Sequence, residues 1–139
     1  MQLRRAAVAG LASLLAVGTL AACNSESPTN RRTHSGTGTA TPGPGGVQTV
    51  VIRSGVDLRF HPSTIVVHPG SVRLVLDNTA KPGAGPPHDL QFSGLPVYIG
   101  TTQAGRESSV TFTAPAPGTY NFVCTIHARQ GQTGKLIVR

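Results

Sequence analysis

The chain has 139 residues, 38% hydrophobic and 4% aromatic, with no tryptophan, 17 glycines, 11 prolines, two cysteines and a formal net charge of +7. That length leaves room for one small hydrophobic core beside a leader and a linker, and for no second domain. The basic balance alone would suit nucleic acid. Over residues 47–139, however, eight basic side chains face four acidic ones with neither a clustered stripe nor a set of exposed aromatics, so nucleic acid is set aside for acidic partners or a membrane surface.

Residues 1–22 place Arg4 and Arg5 before an apolar run too short to span a bilayer permanently, which is the pattern of a secretory signal peptide. Leu20, Ala21, Ala22 and Cys23 resemble the bacterial lipobox. That resemblance implies cleavage before Cys23, a lipid on its sulfur, and anchoring to the outer face of the cell membrane or on the periplasmic side. Cys124 is then the one free thiol of an exported chain, where an unpaired thiol needs burial or a metal to protect it. Residues 23–46 carry the lipidated N-terminus and a Gly/Ser/Thr/Pro stretch with one alanine and no larger aliphatic or aromatic side chain. Such a stretch cannot bury enough surface to offset its ordering entropy and reads as a disordered tether, its ends about 25 Å apart by flexible-coil scaling.

Residues 47–139 read as the folded domain. Short β-branched runs recur between turn signals: VQTVVIRS at 47–54, LRF at 58–60, STIVVH at 63–68, SVRLVLDN at 71–78, HDLQFS at 88–93, SSVTFTA at 108–114, GTYNFVC at 118–124 and GKLIVR at 134–139. Pro62, Pro69, Pro82, Pro115 and Pro117 fall between the runs, and no stretch sustains a helical period. About eight strands at this spacing predict an all-β, Greek-key antiparallel sandwich.

Along GTYNFVC, alternation puts Tyr120, Phe122 and Cys124 on the inner face and Asn121 and Val123 on the outer one. Cys124 thus ends a core strand, and residues 125–133 form a loop at one pole of the sandwich. A buried free cysteine is commonly just a small hydrophobe. Its company is what matters: His127 follows on the same loop, and His88 opens another strand after KPGAGPP. A thiolate with two imidazoles is the ligand set of a trigonal type 1 copper site with a weak axial fourth group.

The stretches APGTYNFVC, CTIHARQGQTGKLIVR and FHPSTIVVHPGSVRLVLDNTAKPGAGPPHDLQF resemble the small blue copper proteins, the cupredoxins, of the plastocyanin and azurin kind. The resemblance implies a copper ion held by His88, Cys124 and His127, with the axial position falling on Gln132, as in stellacyanin-type sites; Gln130 is the other candidate. It also implies that Asp89, where the family usually has asparagine, ties the two ligand loops together through Thr125. The function implied is an electron carrier, not an enzyme: a monomer exchanging single electrons with redox proteins that dock near His127 and Pro87. Pro86, Pro87, Leu95 and Ala128 would form the apolar docking rim. His61 and His68, beside prolines at strand ends, and His34 in the tether have no partner at metal-ligand spacing.

Other classes fit less well. Structural zinc wants four ligands from Cys, His, Asp or Glu, and an open zinc hydrolase wants a general base, for which only Asp89 is near. Burial of Cys124 would deny a substrate access to a Cys–His nucleophile. Two rival functions stay open: a copper carrier or store, and a metal-free binding module on the same sandwich.

Overall fold

The computed structural model describes residues 36–139. The segment read as a signal peptide, Cys23, His34 and the first part of the stretch read as a tether lie outside the described residues. Ten strands are found among the described residues: β1 (Thr37–Thr39), β2 (Thr41–Pro42), β3 (Gln48–Ser54), β4 (Thr64–Val67), β5 (Ser71–Asn78), β6 (His88–Phe92), β7 (Tyr98–Thr102), β8 (Glu107–Thr113), β9 (Gly118–Val123) and β10 (Thr133–Val138). They form a six-stranded sheet, β1-β4-β10-β9-β6-β7, and a four-stranded sheet, β2-β3-β5-β8.

Alternation builds the core between them. In β3, Gln48, Val50, Ile52 and Ser54 point inward, and in β5 Val72, Leu74, Leu76 and Asn78 do the same. Facing them are Ile65, Val67, Leu90, Phe92, Phe122, Leu136 and Val138. The Phe122 ring sits edge-on between Phe60 and Phe92, with both centroid distances 5.3 Å. The expected inner face of β9 holds: Phe122 and Cys124 are buried and Tyr120 partly so, while Asn121 is exposed.

Four expectations need correction. The sheets are mixed, because β1 and β10 each pair parallel with β4, and β3 pairs parallel with β5. LRF is no strand: Leu58 adopts φ 54°, a left-handed backbone that stops an extended run, and Phe60 enters the core from a loop whose one bridge is His61 with Arg53. A strand that sequence reasoning passed over, β7, pairs with β6. Finally, residues from Gly36 onward belong to the sandwich rather than to the tether. β1 and β2 bury little beyond Ala40, but their backbones satisfy the free edges of β4 and β3.

Candidate metal centre

One pole of the sandwich gathers the ends of β3, β5, β7 and β9 and the starts of β6, β8 and β10. Four side chains come to it from three places. His88 opens β6, Cys124 follows β9, and His127 and Gln132 lie in the loop before β10. His88, Cys124 and Gln132 are fully buried, and His127 is partly exposed.

The loop between Cys124 and β10 is closed by its own backbone. Cys124 N–H donates to Gln132 O (3.0 Å), Gln132 N–H to His127 O (3.3 Å) and Gln130 N–H to His127 O (3.0 Å), around a 3-10 turn at Ala128–Gln130. Gly131 follows at φ 78°, where a side chain would be strained, and its carbonyl accepts a bond from Arg59 Nη1 (2.9 Å). At Gly134 there is no room for a side chain: a Cβ would run into the Phe122 ring and would meet Ser63 O at 2.6 Å. The loop that delivers His88 is held by Asn78, fully buried, whose Nδ2 donates to Pro86 O (2.9 Å) and Thr102 O (3.0 Å) and whose Oδ1 accepts from Ala80 N–H (3.2 Å).

One ligand atom each from His88, Cys124 and His127 lies within 4.8 Å of the others. Cys124 Sγ is 3.5 Å from His127 Nδ1, and the two imidazole rings are 5.0 Å apart, centroid to centroid. With metal–sulfur near 2.3 Å and metal–nitrogen near 2.0 Å, ligands at 120° around one ion stand about 3.7 Å apart, close to the edge found.

The hydrogen bonds around His88 leave a place for a cation. Its Nε2 faces Gly55 O at 3.1 Å, a carbonyl that can only accept, so the ring proton sits on Nε2 and Nδ1 presents a lone pair. Nδ1 faces Gln132 Oε1 at 3.1 Å, because the Gln132 amide directs its Nε2 to Ser54 Oγ. Protonating His88 would reconcile the two acceptors, but burial, reinforced by the nearby His127, pushes its pKa below the ordinary value despite the bonds to Gln132 and Gly55. A metal ion bound by both acceptors satisfies them, as does the opposite amide orientation, in which Gln132 Nε2 donates to Nδ1 and Oε1 accepts the Ser54 hydroxyl proton. The thiol is also held back in the metal-free site. Burial pushes the Cys124 pKa up and the Asp89 carboxylate adds to this, while backbone bonds from Asp89 and His127 pull it down.

Asp89 is buried, and its Oδ1 accepts from Thr125 N–H (2.6 Å) while Oδ2 accepts from the Thr125 hydroxyl, the tie expected between the two ligand loops. Gln130 is exposed on the 3-10 turn, apart from the buried cluster. Leu95 does not join the rim: it packs against the core from the turn after β6, at the strand's far end from His88. His61 instead pairs its Nε2 with Asp57 (2.6 Å), and His68 Nδ1 donates to Arg139 O (2.7 Å). Sequence reasoning missed Ser54 and Gly55. The one available signal was the period-2 pattern of QTVVIRS, which turns a serine inward at the strand's end.

Two imidazoles and a cysteine sulfur, with an amide oxygen beside them, match the donors of type 1 copper better than those of zinc, which takes four Cys, His or carboxylate ligands at structural sites. The family model described as the cupredoxin-like domain matches residues 13–138. No curated protein matches the sequence. Among solved structures, dithionite-reduced auracyanin from the photosynthetic bacterium Roseiflexus castenholzii is 23% identical with a TM-score of 0.58, covering 72% of this chain and 98% of its own. Auracyanin A of Chloroflexus aurantiacus, described as a "blue" copper protein, is 24% identical with a TM-score of 0.58, covering 68% and 100%. The metal-binding domain of a Cu(I)-exporting P-type ATPase from Streptococcus pneumoniae, solved with Cu(I), is 19% identical with a TM-score of 0.60, covering 76% and 97%.

Proposed function

This chain belongs to the cupredoxin-like domain family, and on that footing we propose that it is a membrane-tethered, extracytoplasmic type 1 copper protein that carries single electrons between redox partners, a carrier and not an enzyme. The observation that carries the reading is the convergence of His88, Cys124 and His127 ligand atoms within 4.8 Å in a buried pole. Copper bound there would supply a one-electron Cu(II)/Cu(I) couple. His88, Cys124 and His127 would hold it, with Gln132 Oε1 beside them as the fourth donor, while Asp89 and Thr125 lock the two loops together.

His127, the one partly exposed member of the set, links the site to the surface. Around it lie exposed apolar side chains, Ile126 at 43% and Val56 at 74%, the latter next to the Gly55 carbonyl that meets His88. With Pro86, Pro87 and Ala128 they form the rim we assign to a docking redox protein. The lipid on Cys23 and the tether after it complete the proposal, holding a monomeric domain at the outer face of the membrane.

Equimolar Cu(II) added to the purified protein tests this. An intense visible thiolate-to-copper band with a narrow EPR hyperfine splitting, both lost in Cys124→Ser, is the expected result; a pale solution with ordinary Cu(II) spectra in both proteins refutes it. A second reading, copper delivery, is supported by the fold neighbour solved with Cu(I) and by the partial exposure of His127. Slow loss of copper to a chelator supports electron transfer, and rapid loss supports delivery.

A further inference from the structure

Ser54 ends β3 in the four-stranded sheet, on the inner face with Val50 and Ile52, where an apolar side chain would be the ordinary occupant. It is 1% exposed. Its hydroxyl oxygen accepts the Gln132 Nε2–H, a bond between side chains 78 positions apart that joins the end of β3 to the loop entering β10 in the other sheet. Ser54 is itself pinned: its carbonyl accepts both the Thr79 N–H (2.8 Å) and the Thr79 hydroxyl (3.1 Å).

We propose that Ser54 is a positioning residue for the metal centre, holding the Gln132 amide by its nitrogen end so that Oε1 faces the ion held by His88. The inference rests on the copper reading above. A primary amide has a donor end and an acceptor end, and at a fully buried site each needs its own partner. With Ser54 Oγ receiving the donor end, the oxygen-inward orientation leaves neither end of the amide without a partner. Without that hydroxyl, Nε2 would be buried with no acceptor whenever Oε1 faces the ion, so axial coordination would become unfavourable. The neighbouring residue acts in parallel on the other ligand, since Gly55 O takes the His88 Nε2–H and leaves Nδ1 free. One corner of β3 therefore orients two donors while binding no metal itself.

Ser54→Val and Ser54→Thr have the same shape and differ only in the hydroxyl, so their comparison survives any strain from the added methyl. We expect Cu(II) affinity in Ser54→Val to fall on the order of tenfold relative to Ser54→Thr, and its EPR hyperfine splitting to move toward that of Gln132→Leu. Placed in the Gln132→Leu background, the two Ser54 variants should be indistinguishable. In the metal-free protein, hydrogen exchange of the Gln132 side-chain amide, read by NMR, should be slow in Ser54→Thr and fast in Ser54→Val. Equal spectra and affinities for the two variants, or a difference that persists in Gln132→Leu, overturns the role of Ser54 and leaves the copper reading standing. A wild-type protein without the thiolate band overturns both.

Discussion

Replacing Asp89 by Asn should raise the reduction potential of the copper centre by on the order of 100 mV. The carboxylate lies 2.6 Å from the Thr125 amide nitrogen, which is bonded to the carbonyl carbon of Cys124, so its charge sits close enough to the sulfur to raise the thiol pKa, and a separation of about 5–6 Å serves as a round figure. At an effective dielectric constant of about 20, a unit charge at that distance is worth about 3 kcal/mol, or about 130 mV on a one-electron couple. Water beside the exposed Thr125 screens part of this. The sign follows from charge alone: a carboxylate favours Cu(II), and removing it favours Cu(I). The geometry should survive, because Asn Oδ1 still accepts the Thr125 N–H and the threonine hydroxyl can turn to accept from Nδ2. Spectroelectrochemical titration of both proteins reads the potential. The metal-free protein gives an independent check: the Asp89 carboxylate helps to push the Cys124 thiol pKa up, so in an ultraviolet pH titration the variant's thiolate absorption should appear at a lower pH than that of wild type. An unchanged or lowered potential with an intact visible band would refute the reasoning.

Gln132→Met should raise the potential relative to wild type, since a thioether is a weaker, softer axial donor than an amide oxygen; equal or inverted potentials would remove Gln132 from the ligand set. The metal-free protein should be most stable between about pH 6.5 and 9. His88 has a lowered folded pKa, so the unfolded chain takes up the extra proton and stability drops as pH falls below 6.5; Cys124 has a raised one, so the unfolded chain loses its proton first and stability drops above 9.0. Thermal melts across that range check it, and His88→Gln should flatten the acid limb. Gly134→Ala should lower the melting midpoint by on the order of 10 °C, because its Cβ meets a packed ring on one side and backbone on the other; a midpoint within a degree or two of wild type would mean that β10 yields at no cost.

The three members of the candidate site were legible because each obeys a local rule. Period-2 alternation turns Cys124 inward, a spacing of three brings His127 back to it across a tight loop, and His88 opens a strand after a Gly/Pro-rich approach. Gln132 needed the family pattern to be chosen over Gln130, and the structure separates them by burial. Asp89 was legible only through the family pattern, because by local rules an aspartate at the start of a strand can face solvent equally well; its burial goes with its bonds to Thr125, a partner 36 positions away. β1 and β2 were read as tether because their stability comes from backbone pairing with edges of β4 and β3, which side-chain composition does not record. Phe60 was misplaced for the opposite reason: the side chain is apolar and buried as expected, but Leu58 bends the backbone out of the extended region.

The loop from Cys124 to Gln132 is where the two copper functions diverge. An electron carrier needs the same geometry in both oxidation states, so that little reorganises on transfer, whereas a metal donor needs a route by which a ligand lets go. Here Cys124, His127, Ala128, Gln130 and Gln132 are cross-bonded through their backbones, Arg59 holds Gly131 from outside, Asp89 holds Thr125, and Ser54 holds Gln132. Release of His127 alone would break its contact with the sulfur without loosening any of those ties, but it would leave the metal on three donors whose side chains are buried. Release of two ligands requires the loop to open as a unit against bonds from both sheets. Those ties support the proposed carrier over the donor, and on that reading the rate of copper loss would be set by residues that do not touch the metal.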